Sequence, residues 1–194
     1  MTDINDQITR EEASPGASKA PVFPAGSVPG AVEPELLELM ELLFFAYRDF
    51  IGEPDAILAE FGFGRAHHRV LHFVNRHPGL RVADLLDILK ITKQSLGRVL
   101  KQLVDEGYIE QKAGQEDRRE RLLYATERGR ALAAQLAGSQ LRRIAEALDD
   151  AGSATAQTVR EFLYFMVAPE DRATVTDLLS SAPPRSDGDV KRHE

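Results

Sequence analysis

Apolar side chains recur at helical spacing through most of this chain and at strand spacing in one short region. From Glu35 to Ile51, one stripe contains Leu36, Leu39, Met40, Leu43, Tyr47 and Phe50. A second holds Leu37, Phe44 and Ile51, with Leu42 and Phe45 beside it. A surface helix on a small domain buries one stripe. This one calls for two partners, its own domain and a second subunit; the alternative is a central core helix of a monomer. Arg81 to Leu89 places Val82, Leu85, Leu86 and Leu89 on one face. A tight turn at Lys90 and Ile91 leads to a second short helix, with Leu96, Val99, Leu100 and Leu103 inward and Thr92 at the N-cap position. Gly107 stands where the chain must leave that helix.

Tyr108 to Lys112 and Glu120 to Ala125 alternate as two strands around the polar loop Ala113 to Arg119. Thr126 and Glu127 then open another helix, with a cap and an acid in its first turn. That helix runs to about Leu148, interrupted by Gly138. Thr158 to Val167 and Asp171 to Leu179 supply further apolar faces, including Phe162, Phe165, Met166, Val175 and Leu178. Pro169 suits the first turn of the last helix.

The outer face of the helix after Thr92 carries Lys93, Gln94, Ser95, Arg98, Lys101 and Gln102, with no acid before Asp105 and Glu106. Arg and Lys reach phosphates or guanine, and Gln and Ser reach base edges, so this face suits a DNA major groove. It also suits an ordinary solvated surface, and the neighbouring elements decide. Two short helices followed by a hairpin make a winged helix-turn-helix. Arg118 and Arg119 project from the hairpin loop, where an arginine can enter a narrow minor groove. Asp117 is placed to hold a neighbouring arginine.

This order of elements resembles the MarR family of winged-helix transcriptional regulators, from about Arg65 to Leu148. Asp117 and Arg119 match the family's Asp-x-Arg wing pattern. Thr126 and Gly129 match its Thr-x-x-Gly helix start, and Thr92, Lys93 and Ser95 match the start of its recognition helix. The string ITKQSLGRVLKQL resembles a PetP-like branch. The resemblance implies that Arg119 is the minor-groove arginine and Asp117 its support. It also implies a homodimer on a near-palindromic operator in double-stranded DNA, with repression as the default mode. Two positions depart from the pattern. Gly97 lies mid-helix, where glycine costs roughly 1 kcal/mol against alanine. Arg121 occupies a wing-strand position where an apolar residue is commoner, and it adds a candidate phosphate contact.

The expected fold is mainly α: a winged helix-turn-helix with a two-stranded β-wing and a helical dimerisation layer from the N- and C-terminal helices. Residues 1–32, rich in Pro, Gly, Ala and Ser, read as a disordered tail. Residues 33–64 read as N-terminal dimerisation helices, 65–126 as the DNA-binding domain, 127–180 as C-terminal dimerisation helices and 181–194 as a flexible tail. The expected interface residues are Leu36, Leu39, Met40, Leu43, Phe162, Phe165, Met166 and Leu178.

Net charge is −7, which alone argues against nucleic acid. Between Arg65 and Arg128, however, 13 Lys and Arg stand against nine Asp and Glu, a balance of +4 that leaves −11 for the rest. A locally basic module on an acidic body is compatible with DNA. There is no cysteine, which excludes disulfides and thiolate chemistry. The N-terminus lacks a signal-peptide pattern and no apolar run is long enough to span a bilayer, so a cytoplasmic location is expected. No P-loop, GxSxG, HExxH or GxGxxG motif is present, and an enzyme is not expected.

Regulators resembling this one bind small aromatic or phenolic acids. The candidates for such an effector are Phe44, Phe45, Tyr47, Arg48, Phe50, His67 and His68, with plain packing as the alternative. No cofactor is expected. His68 and His72 have a metal-capable i, i+4 spacing, but without acids in that helix no metal is assigned. The competing functional reading is a helical protein–protein interaction module whose winged helix does not bind DNA.

Overall fold

Leu96, Val99, Leu100 and Leu103 are all buried, and the helix they predict is α4, Lys93–Asp105. It belongs to a computed structural model that describes residues 34–114, 117, 119–152 and 155–181. The expected tails, including residues 1–32 and most of 181–194, lie outside the described residues. The chain divides into two units, residues 1–41 and 42–194. The described part of the first is the opening of α1, Pro34–Glu60, where Leu37, Leu39 and Met40 are exposed.

In the second unit, α2 (Arg65–Arg76) leads through β1 (Leu80–Arg81) to α3 (Val82–Leu89) and α4. The hairpin β2 (Ile109–Ala113) and β3 (Arg121–Ala125) follows, then α5 (Glu127–Ala151), α6 (Thr155–Met166), a 3-10 turn at Pro169–Asp171 and α7 (Arg172–Ser181). The core draws on every element from the end of α1 to the middle of α5, with Leu58, Leu71, Leu85, Leu103, Leu123 and Leu136 almost wholly inaccessible.

The expected two-stranded wing is present as the β2–β3 hairpin, and a third strand extends its sheet. The sheet has three antiparallel strands in the order β1-β3-β2. The hairpin pairs Ile109 with Ala125 and Ala113 with Arg121, and β1 adds Leu80 opposite Leu123 and Arg81 opposite Leu122. Two residues are too few to show alternation, so β1 has no sequence signature.

Two helices run further than their periodicity indicates. α5 continues through Gly138. α1 passes the expected end at Ile51 and includes Pro54. A proline inside a helix removes the N–H that would bond the carbonyl four residues earlier. Here that carbonyl is Phe50 O, and it accepts the Gln140 side-chain amide of α5 instead (3.3 Å). Glu53, one residue before the proline, is held by Arg142 at 3.0 Å and Arg143 at 3.5 Å.

The turn between α3 and α4 places Lys90 in the left-handed region at φ 51°, and its N–H donates to Leu86 O. Its ammonium pairs with Asp171 at 3.0 Å, which raises the Lys90 pKa from its ordinary value. α4 ends at Gly107, φ 73°, where the Tyr108 N–H closes back to Leu103 O (2.8 Å). Among the described residues, no helix is long and apolar enough to cross a membrane.

Candidate nucleic-acid interface

The first turn of α4 is fixed by its own side chains. Thr92 Oγ1 accepts the Ser95 N–H (3.1 Å), and the Thr92 hydroxyl donates to Ser95 Oγ (2.9 Å). This N-cap contributes about 1 kcal/mol to helix stability and presents the following turn rigidly. Thr92 and Ser95, both expected as DNA contacts, are thus also capping partners. Beyond them Lys93, Gln94 and Arg98 are exposed, and among the described residues Lys93 and Arg98 meet no carboxylate. Lys101 is exposed and pairs with Asp105 one turn on.

Gln102 is the exception on this helix. Its position on the helix turns it towards α2 rather than outward, and it is half-buried. His67 Nδ1 accepts the Gly64 N–H (3.1 Å), which leaves the ring proton on Nε2. Nε2 then donates to Gln102 Oε1 (2.9 Å), and the Gln102 amide donates to Glu106 Oε1 (2.9 Å). The chain of bonds ties α2 to α4 and gives Gln102, one of the expected DNA contacts, a structural role between the two helices. His67, expected near an effector, serves the same joint and stacks on Phe63 with ring centroids 4.8 Å apart.

The wing is shaped by a carboxylate turn. Asp117 Oδ1 accepts the Arg119 N–H (2.8 Å), and Asp117 O accepts the Glu120 N–H (3.0 Å). Asp117 therefore supports Arg119 through the backbone; among the described residues no carboxylate meets the exposed Arg119 guanidinium. Gly114 is required here, because a Cβ would lie 2.6 Å from Asp117 O. Arg118 lies outside the described residues. Arg121 is exposed at the loop end of β3, opposite Ala113.

Sequence reasoning missed the anchor of this wing. Arg81 makes a two-pronged contact to Asp84 (2.6 and 2.8 Å) and reaches Glu120 at 3.3 Å, so it binds the start of α3 to the returning wing strand. The hydrogen bond from Arg81 holds the Asp84 carboxyl below the usual range. The Arg81-x-x-Asp84 spacing across a helix start was the available signal.

Thr126 shows why a Thr-x-x-Gly start suits this place. Its Oγ1 accepts the Gly129 N–H (3.1 Å), and its hydroxyl donates to Gly107 O (2.7 Å). A Cβ on Gly129 would sit 2.0 Å from Tyr108 O, so only glycine lets α5 approach the end of α4 this closely.

A cleft of about 360 Å³ lies between α1, α2 and α5, with Tyr47, Phe50 and Phe73 as its aromatic wall and Arg65, Arg69, His68, His72 and Asp55 as its polar one, Asp55 pairing with Arg65 at 2.9 Å. Of the expected effector residues, Tyr47, Phe50 and His68 line it. Phe44, Phe45 and Arg48 do not; Arg48 pairs with Asp49 (2.7 Å) and lies 5.1 Å over Phe45. Burial, and then the neighbouring His72, push the His68 pKa down; burial and then Arg76 lower that of His72. Among the described residues no group of three or more His, Cys, Asp or Glu is placed to hold a metal ion.

The expected interface residues are mostly uncovered. Phe162 is 50% exposed, Phe165 64% and Met166 53%, and Leu43 is exposed too. Leu36 and Leu178 are half-buried. An apolar groove of about 760 Å³ runs between α6 and α7 past Leu163, Phe165, Val175 and Leu179. Arg172 caps the end of α6, donating to Phe165 O (2.8 Å) and Val167 O (3.1 Å).

The sequence profile of the MarR family matches residues 61–120. The HTH-type transcriptional regulator PetP of Rhodobacter capsulatus is 44% identical over 138 residues, which is 71% of this chain and 83% of that protein. The fold is shared with a SlyA-like transcription regulator from Listeria monocytogenes at a TM-score of 0.57 and 19% identity, over 76% of this chain and 97% of that one. It is shared too with Streptococcus pneumoniae FabT in complex with DNA, at a TM-score of 0.55 and 17% identity over 75% and 97%.

Proposed function

The chain belongs to the MarR family, and on that premise we propose that this DNA-binding transcriptional regulator reads a near-palindromic operator as a homodimer and acts as a ligand-responsive repressor. The observation that carries the reading is α4. Its apolar face is wholly buried, and its outer face presents Lys93, Gln94 and Arg98 beside the wing. A helix backed in this way enters a major groove without disturbing its own core, and cations on a hairpin reach the adjacent backbone or minor groove. That FabT is crystallised with DNA supports the same use of a shared fold.

A second copy is supported by the uncovered apolar residues of α6 and α7 and, separately, by those of α1. Two recognition helices related by a two-fold axis read half-sites about one DNA turn apart. The cleft beside Tyr47, Phe50 and Arg65 is the proposed effector site. Its volume suits a single-ring acid, whose carboxylate would meet Arg69 and compete with Asp55 for Arg65, the two being paired at 2.9 Å. A ligand that fits one spacing of the helices better than another shifts the population that binds DNA.

Selection of bound sequences from random duplex DNA, followed by salt titration, tests the reading. The expected result is a symmetric motif bound with affinity that falls steeply as salt is added. Absence of binding to any duplex at low ionic strength would leave the winged helix as a protein-interaction module.

A further inference from the structure

Glycines inside the helices of this chain fall into two kinds among the described residues. Gly129 is demanded by packing, since a Cβ there would collide with Tyr108 O. Gly52, Gly97 and Gly138 have open space where a side chain would go, with no heavy atom within 4 Å. Gly52 and Gly138 lie on α1 and α5, which also carry exposed apolar side chains such as Phe45 and Ile144. Gly97 alone lies on α4, in the middle of the helix.

Nothing among the described residues accounts for Gly97. Alanine would fit without contact and would strengthen the helix. Its φ is not in the left-handed region, so no turn requires it either. Its placement is informative. Gly97 sits one turn after Lys93 and Gln94 and one turn before Lys101, so it shares their side of the helix. A shallow hollow opens at it, lined by Val82, Leu100, Val104 and Gln111 and by the paired Lys101 and Asp105.

We propose that Gly97 is a specificity-determining position of α4: its bare backbone lets base edges in the major groove approach the helix more closely than any Cβ would permit. This rests on the DNA-binding reading and deepens it. Close approach shortens the reach required of Gln94 and Arg98, whose contacts to base edges depend on geometry. Phosphate contacts from Lys93 and the wing arginines tolerate a lifted helix better, because charge attraction falls off slowly with distance.

The test compares the full-length protein with Gly97→Ala and Gly97→Leu. Binding is measured on a duplex selected by the unmodified protein from a random pool and on a mixed-sequence duplex. Gly97→Ala is expected to raise the thermal midpoint, weaken binding to the selected duplex at least tenfold and leave mixed-sequence binding within about twofold. Gly97→Leu is expected to weaken selected binding further. Unchanged or tighter binding of Gly97→Ala to the selected duplex overturns the proposal, and so does an equal loss on both duplexes. If the unmodified protein binds no duplex, the DNA-binding reading falls and takes this proposal with it; a loss or gain confined to the variants bears on Gly97 alone.

Discussion

α4 and α6 are amphipathic helices of almost the same length, 13 and 12 residues, yet α4 buries four side chains and α6 buries none. Each has apolar residues at helical spacing. The difference is the supply of partners. The apolar face of α4 packs against α2 and β2, whereas the aromatic face of α6 looks out from the chain. The buried backing of α4 is therefore supplied by one chain. The outer helices carry apolar area in excess of what a lone chain covers, and a second copy is the proposed cover.

The sharpest way to break this contrast is to damage both helices alike. Leu103→Ala removes a fully buried side chain from α4 and is expected to cost about 3 kcal/mol, seen as a lower denaturation midpoint. Phe162→Glu with Phe165→Glu on α6 is expected to leave that core intact while the protein sediments as a monomer and loses the concentration dependence of its melting. A variant that sediments as an unchanged dimer would move the interface away from α6.

Smaller effects sharpen the picture of the reading head. Arg119→Ala is expected to weaken operator binding about tenfold with no change in sedimentation, consistent with ~1–3 kcal/mol for one arginine contact. Equal affinity for both forms would remove Arg119 from the wing contact.

The smallest effect expected is on pH. His68 and His72 are both pushed below their ordinary value of 6.5, so below that pH the unfolded chain takes up protons that the folded chain refuses. Their contribution to stability is full above pH 6.5 and shrinks as pH falls below it. His68→Gln is expected to flatten the acid side of the stability profile; an unaltered profile would show that this histidine carries none of the slope.

Features held by local hydrogen bonds were legible in the sequence. The Thr92 cap, the Gly107 exit, the hairpin and the Thr126 start each close within a few residues or across one turn. Features whose partners come from distant elements were not. β1 exists because β3 passes beside Leu80, and Gln102 faces inward because His67 of α2 waits there. Asp117 was legible as a support, but its partner is a backbone N–H, and residue identity alone does not distinguish that from an ion pair. That Tyr47, Phe50 and His68 line one cleft while Phe44, Phe45 and Arg48 do not was not legible, because it depends on how three helices meet.

The bond from Gln140 to Phe50 O makes the history of two positions unequal. A lineage that replaced Pro54 first would regain a backbone donor and set Gln140 free to drift. One that replaced Gln140 first would remove the side-chain donor from Phe50 O and lose about 1 kcal/mol of stability. The two positions are therefore coupled: losing Gln140 costs more while Pro54 stands than after it is gone.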